Sequence, residues 1–195
     1  MVEQAPYKVV RTIENVEIRE YPDTLLATVS GRDDGAAFSI LFNYIAGNNS
    51  SRAKLPMTAP VVSSERRPEK IPMTAPVVSS IRPAASSTEK IPMTAPVLSG
   101  DGFFTFVMPP SYTAETIPAP LDSRVRIHVQ APKTFAVLRF SGRTTRTMVE
   151  KRTAELMGTL SKNGIATRNY AFLMRYNSPF APGFMRRNEV GVELA

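Results

Sequence analysis

Residues 90–108 read KIPMTAPVLSGDGFFTFVM and predict two extended strands joined by a tight turn. Pro92 and Pro96 stand four residues apart, and this spacing excludes a helix, because each proline lacks an amide donor and clashes with the preceding turn. Residues that precede proline favour an extended backbone. Asp101-Gly102 separates this segment from an apolar run, and Asp-Gly in that setting is a strong hairpin signal. We therefore expect the two halves of the stretch to pair as antiparallel strands.

The first half of this stretch is the last of three copies of one motif. The copies begin at Lys54, Lys70 and Lys90, and these unequal offsets are too irregular for a solenoid. The segments between the copies are rich in serine, proline and charge and are typical of surface loops. We expect the third copy to belong to the sheet and at most one earlier copy to be needed for it. The other copy is expected to form an extension on the rim.

Outward from the repeat, strand and helix signals follow the same order on both sides. The N-terminal side predicts strands at 7–12, 16–20 and 25–30, then a helix over 36–45 capped by Asp33 or Asp34 and ended by Gly47. The C-terminal side predicts strands at 103–108, 124–129 and 134–140, a helix from Thr144 or Thr145 to about Lys162, and strands around 170–175 and 189–194. The buried stripe of the second helix is predicted to be Val149, Leu156, Met157 and Leu160. This order predicts an α+β domain of antiparallel strands with a pseudo-twofold arrangement.

The composition excludes several kinds of catalytic and metal site. The 195 residues contain no cysteine and one histidine, His128. Disulfides, thiol catalysis, Cys-based zinc sites and His-rich metal centres are therefore excluded within one chain. His128 lies among arginines on the polar face of a predicted strand and is expected to be an ordinary solvated histidine. Glu115, Glu155 and Glu189 are the plausible inward carboxylates, but no spacing pairs them for acid–base work, so we expect no enzyme.

The formal net charge is +7, and basic residues concentrate near the C-terminus. Ten lysines and arginines lie between Arg139 and Arg187, against Glu150 and Glu155. Such a block could attract nucleic acid, an anionic membrane or a small acidic ligand, or it could be a solvated face. No zinc finger or RNA-recognition motif accompanies it, so no specific nucleic-acid partner is expected.

The sequence contains no apolar run of the roughly 20 residues needed to span a bilayer. No signal peptide is visible at its start either. We therefore expect a soluble protein, cytoplasmic by default, or periplasmic if a signal peptide has been removed.

Two groups of apolar side chains could line a ligand pocket. One is a stripe of the first predicted helix and the other is the methionine of each repeat copy. Thioethers can line an apolar pocket or ligate iron. The alternatives are that the helix stripe is core and that the methionines fill packing gaps. The candidate residues are Phe38, Leu41, Phe42 and Ile45 of the stripe, and Met57, Met73 and Met93 of the repeat.

Four motifs resemble the SOUL haem-binding family and occur in the order of that family. They are residues 71–77 (IPMTAPV), 106–109 (FVMP), 117–120 (IPAP) and 186–190 (RRNEV). The resemblance implies a distorted antiparallel β-barrel flanked by two helices, similar to the effector-binding domains of some bacterial transcription activators. Residues 1–195 would then form a single SOUL-type domain, in which the triple repeat of residues 54–100 is an insertion.

The resemblance also implies a function and a site. Members of the family are associated with haem and other tetrapyrroles, held by apolar contacts along the first helix, where Phe38 and Phe42 would lie. We expect b-type haem, bound reversibly, for transport, buffering or sensing, and binding of other porphyrins. The arginine expected to meet a haem propionate is missing, because the matching region reads Asp34-Gly35-Ala36. The histidine ligand of one branch is also missing. The alternatives are an effector-binding or protein-interaction module without haem, and a small-molecule enzyme using the same cleft.

Overall fold

The computed structural model describes residues 3–31, 33–51, 88–100, 102–177 and 181–195. Within these ranges the helices are α1 (Asp34–Ala46) and α2 (Arg146–Lys162), with a 3₁₀ turn at Gly183–Met185. The strands are β1 (Glu3–Gln4), β2 (Lys8–Ile13), β3 (Val16–Tyr21), β4 (Thr24–Ser30), β5 (Asn49–Ser50), β6 (Thr94–Ala95), β7 (Val97–Gly100), β8 (Phe103–Val107), β9 (Ala119–Pro120), β10 (Arg126–Gln130), β11 (Lys133–Ser141), β12 (Thr167–Arg175) and β13 (Arg187–Leu194).

Both helices begin at the caps that the sequence predicts. The Asp33 side chain accepts hydrogen bonds from the backbone amides of Gly35 and Ala36, at 2.9 and 3.1 Å. Thr145 accepts one from the amide of Met148. Gly47, at φ +122°, ends α1 in a conformation that favours glycine. These caps satisfy amides that have no partner inside the helix.

The hairpin predicted for the third repeat copy is confirmed by the pairing of β7 with β8. Gly100 pairs with Phe103 at the end of this ladder. A Cβ at Gly100 would lie 2.5 Å from the Phe103 ring, so a larger residue would displace the ring. Gly102 occupies the turn at φ +79°. Of the three repeat copies, only this one lies within the described residues.

Among the described residues, nine strands form one antiparallel sheet that curls into a half-barrel. Their order is β10-β4-β8-β7-β12-β13-β11-β3-β2. Outward from the centre, β7, β8, β4 and β10 on one side correspond to β12, β13, β11 and β3 on the other. Each half places its helix between the two strand pairs, as the chain order shows. The α+β fold and its pseudo-twofold arrangement are therefore confirmed.

Two strand pairs of this sheet, β4 with β10 and β3 with β11, follow one continuous register. Thr24 of β4 pairs with Gln130 of β10. Three positions before Thr24 and three positions after Gln130 in the chain, Tyr21 of β3 pairs with Lys133 of β11. The continued register places Pro22 opposite a second proline, at position 132. Proline has no amide hydrogen, so it cannot donate to the ladder at this point. This interruption of the ladder separates β3 from β4 and β10 from β11.

The helices pack on one face of the sheet. Among the described residues no helix covers the opposite face, here called the open face, although Leu26, Phe135 and Met174 on it are buried. Leu25, Ala27 and Val29 of β4 lie in the core beneath α1, whereas the alternate residues Leu26 and Thr28 lie on the open face. The core beneath α2 includes Leu138, Phe140, Leu156, Leu160 and Val190. The prediction for Met157 is wrong, because this side chain is exposed on α2.

The described residues on either side of residues 52–87 are tied to each other. Asn49 donates to the carbonyl of Glu89 at 2.7 Å and accepts from its amide at 3.0 Å. Ser51 donates to the Glu89 carboxylate at 3.2 Å. The chain therefore leaves and re-enters the described structure at one place.

Candidate functional site

The outer surface of α1 presents two stacked phenylalanine rings. Phe38 and Phe42 are four residues apart and therefore lie on one face of the helix. Their ring centroids are 5.8 Å apart with 19° between the ring planes. Phe38 is half-buried and makes edge contacts with Phe104 and Phe106 of β8. Phe42 remains 46% exposed. The pair is thus an aromatic surface anchored to the sheet at one end.

The structure divides the other predicted pocket residues between core and surface. Leu41 and Ile45 are buried in the core beneath α1, where they support the helix from below. Met93 is half-buried against the same core. Met57 and Met73 lie outside the described residues. Phe38 and Phe42 are therefore the members of the α1 stripe that offer surface to a ligand.

An arginine that sequence reasoning missed lies at the N-terminal end of the stripe. Arg175 of β12 forms an ion pair with Asp34 at 3.3 Å and donates to the Ser99 hydroxyl at 2.8 Å. Asp34 precedes Phe38 by four residues, so the ion pair and the aromatic pair share one helix face. Pairing of β12 with β7 brings Arg175 here. No local sequence pattern signals this position, because Asp34 and Arg175 are 141 residues apart.

The predicted inward carboxylates do not converge. Glu189 is fully buried and accepts hydrogen bonds from Arg19 at 2.7 and 3.1 Å. It also accepts from Arg187 and Tyr176. Burial alone would raise the pKa of Glu189, but the bonds from the two arginines outweigh burial and lower it. This carboxylate therefore stays ionised as the centre of a buried charge network.

The remaining two carboxylates have other surroundings. Glu155 is on α2, where it pairs with Arg152 and accepts from Asn15. Glu115 is exposed in the turn before Ile117. The three carboxylates thus offer no shared site for acid–base chemistry.

His128 and several arginines of the basic block have separate surroundings. His128 is exposed on the open face of β10, opposite Leu26 in register. Several arginines of the basic block are engaged in separate ion pairs: Arg146 with Glu150, Arg152 with Glu155, Arg175 with Asp34 and Arg187 with Glu189. The described ranges contain no cluster of three or more residues suited to a metal ion. Neither helix there has the length and apolar character needed to cross a membrane.

Solved structures that are similar to this chain include two that cover almost its whole length. The C-terminal domain of EcmrR is similar with a TM-score of 0.48 and 10% identity, over 97% of this chain and 98% of that one. A hydrolase from Listeria innocua is similar with a TM-score of 0.50 and 12% identity, over 95% and 94% of the two chains. Similarity to the hydrolase at this identity shows the fold alone.

Comparison with protein families covers nearly the whole chain. No curated protein sequence matches it significantly. The family model described as "SOUL heme-binding protein" matches residues 2–67 and 63–193, two segments that overlap at residues 63–67. The family motifs and the curled sheet agree with this match. The chain belongs to the SOUL haem-binding family.

Proposed function

We propose that this protein binds haem or a related tetrapyrrole on the outer surface of α1, for transport, buffering or sensing. The observation that carries the proposal is the stacked pair of Phe38 and Phe42 on this helix of a SOUL family member, in which Phe42 is exposed and Phe38 half-buried. A flat aromatic macrocycle can stack on these rings, and each such aromatic contact contributes about 0.5–1.5 kcal/mol beyond the apolar area that it buries.

Arg175 supports the polar side of the same proposal. Its guanidinium lies at one end of the aromatic surface, where a haem propionate could accept a charge-assisted hydrogen bond. Asp34 is the present partner of Arg175, so a propionate would have to compete with the Asp34 carboxylate. Met93 of the third repeat copy, half-buried against the core beneath α1, is a further candidate for apolar contact with the macrocycle.

The chain's one histidine does not lie on this surface. His128 is on the open face of β10, whereas its neighbour Ile127 packs toward the core beneath α1. We therefore expect b-type haem that is held reversibly, without a histidine ligand. The chain has no cysteine to attach haem covalently. His128→Ala is expected to leave haem binding nearly intact, and a large loss of affinity with a shifted Soret band would contradict the site.

A haemin titration followed by absorption spectroscopy tests the proposal. We expect saturable one-to-one binding at low micromolar concentration, weakened roughly three- to ten-fold by Phe42→Ala through loss of one stacking contact. Phe184→Ala is the matched control, because Phe184 is 80% exposed on the 3₁₀ turn, which packs beside β11 and Arg143.

Other outcomes of the titration would contradict the proposal. Weak adsorption at several sites would favour an interaction module, and turnover of a tetrapyrrole would favour an enzyme.

A further inference from the structure

The open face of the sheet contains a cleft that is separate from the aromatic surface of α1. Its volume is about 300 Å³. Leu26 and Leu98 provide aliphatic surface, and Phe103, Phe135 and Phe172 provide rings. The elements that supply these residues are β4, β7, β8, β11 and β12, so the cleft spans both halves of the pseudo-twofold arrangement.

The aromatic wall of the cleft is held in place by packing. The rings of Phe135 and Phe172 meet edge to face, with centroids 5.3 Å apart. Gly191 of β13 pairs with Phe172. A Cβ at Gly191 would come within 3.0 Å of both Phe172 and Met174. The absence of a side chain at this position therefore leaves room for the Phe172 ring.

A bulge in β12 places two further side chains at the cleft. Arg168 pairs with Glu193 and Phe172 with Gly191, so β12 has two more residues than β13 between these pairs. Within the bulge Asn169 has φ +60°, which is uncommon for a residue other than glycine. Tyr170 is 83% exposed although it lines the cleft. Bulges of this kind re-aim side chains and often occur next to functional sites.

A carboxylate at the same end of the cleft can accept a hydrogen bond from a ligand. Lys133 and Asn169 both donate to the Oε2 atom of Glu193, at 2.7 and 3.1 Å. The hydrogen bond from Lys133 is the main cause that lowers the pKa of Glu193, so the group is ionised at neutral pH. Because both bonds fall on Oε2, the Oε1 atom is the acceptor that a ligand hydroxyl would use.

We propose that this cleft binds a small aromatic molecule of one or two rings that carries a hydroxyl group. The rings would lie against Phe172 and Tyr170, and the hydroxyl would donate to Glu193. The volume is at the lower end of the roughly 300–1,000 Å³ of small-molecule pockets, which favours one or two rings over a four-ring macrocycle. This site is independent of the haem proposal, because it lies on the opposite face of the sheet from α1.

Fluorescence titration with 2-naphthol tests the proposal on the intact chain. The protein has six tyrosines and no tryptophan, so excitation beyond the tyrosine absorption band reports the probe alone. We expect one saturable site that Tyr170→Ala weakens roughly three- to ten-fold, because one ring contact is lost. Phe184→Ala, which removes an equally exposed ring, is expected to change nothing. Naphthalene, which lacks the donor, is expected to bind about tenfold more weakly, as for loss of a hydrogen bond to a charged group.

The outcome for haem separates the two sites. We expect haemin not to displace 2-naphthol, and Phe42→Ala not to change 2-naphthol binding. The cleft proposal is overturned if 2-naphthol shows no saturable binding, if Tyr170→Ala leaves it unchanged, or if haemin and Phe42→Ala both abolish it. The first two results would leave the α1 proposal standing, and a failed haemin titration would leave the cleft proposal standing.

Discussion

Glu189 is the residue around which the buried charges of the sheet are arranged. Its carboxylate is fully buried between Arg19 and Arg187, and Arg19 is itself buried. The Arg19 guanidinium also lies over the Tyr7 ring, 4.2 Å from its centroid. Such a group is stable only while every charge keeps its partner, because an unpaired charge in the interior loses its hydration without compensation.

Glu189→Gln is expected to destabilise the protein by about 3–5 kcal/mol, because the amide leaves buried arginine charge uncompensated. Urea unfolding measures the change in free energy. Glu155→Gln is the matched control, since Glu155 is in a partly exposed pair with Arg152 and such pairs contribute at most about 1 kcal/mol. Equal losses of unfolding free energy in the two variants would show that the buried network stabilises the fold no more than a partly exposed ion pair does.

Acid stability is expected to depend on the same residue. The pKa of Glu189 in the folded state lies below its ordinary value of 4.5, so the unfolded chain binds the proton more readily. The stabilisation is fully present above that ordinary value and is lost as the pH falls through the lower, folded-state pKa. Unfolding free energies measured across this range should fall less steeply for Glu189→Gln than for the unaltered chain. Parallel pH profiles would contradict the prediction.

At the haem surface proposed on α1, the ion pair of Asp34 and Arg175 can be tested from both sides, with opposite expected effects on haemin affinity. Asp34→Asn frees the guanidinium and is expected to raise haemin affinity severalfold, whereas Arg175→Gln is expected to lower it by a similar factor. Arg146→Gln is the control, because Arg146 belongs to an exposed pair on α2. If both Asp34→Asn and Arg175→Gln leave the titration unchanged, the propionates do not lie at this end of α1.

One side of the apolar stripe of α1 is buried in the core, and the other side is exposed to solvent. Leu41 and Ile45 face the sheet, and the ring of Phe42 faces outward. The stripe is wider than the core requires, which is why an aromatic surface remains on a helix that is otherwise well packed.

This division predicts different outcomes for two charged substitutions on α1. Phe42→Glu is expected to reduce haemin affinity more than stability, because position 42 is already in contact with water. Leu41→Glu is expected to cost several kcal/mol of stability, because it buries an unpaired charge. Thermal melting and the haemin titration, run on both variants, separate the effects. A strong loss of stability in Phe42→Glu without a binding defect would refute the assignment of this ring to the site.

The triple repeat bears on the whole molecule, because we expect the fold to need only part of it. Only the third copy lies within the described residues, where it contributes β6 and β7 and continues into the hairpin with β8. The ends of the preceding segment are held together by Asn49 and Glu89. Insertions that begin and end at one place cost little, because loop-closure entropy rises only logarithmically with length.

Deletion of residues 71–90 is expected to leave a folded protein. The junction joins Lys70 to Ile91, so Glu69-Lys70 replaces Glu89-Lys90 with the same two residue types in front of the same motif. The hydrogen bonds to Asn49 can then form again. Thermal melting of the deletant should show one cooperative transition near that of the full chain. Loss of cooperative unfolding would mean that all three copies are structural.

The elements of this fold could be predicted from the sequence because their signals are local. Asp33, Thr145 and Gly47 act within a few residues of the helix ends, and the spacing of Phe38 and Phe42 places them on one face. The hairpin at Gly102 is equally local. These features depend on backbone geometry over one or two turns of chain, and the order of elements then indicated the α+β class.

The sites depend on contacts that only strand pairing creates. Arg175 meets Asp34, and Arg19 meets Glu189, across 141 and 170 residues of sequence. The periodicity of α1 could not separate buried Leu41 from exposed Phe42, because one stripe contains both. The cleft beside Tyr170 arises from a bulge in β12 and from the curl of the sheet. A local pattern carries no information on which distant strand lies alongside, so the choice of register in the folded sheet brings these side chains together.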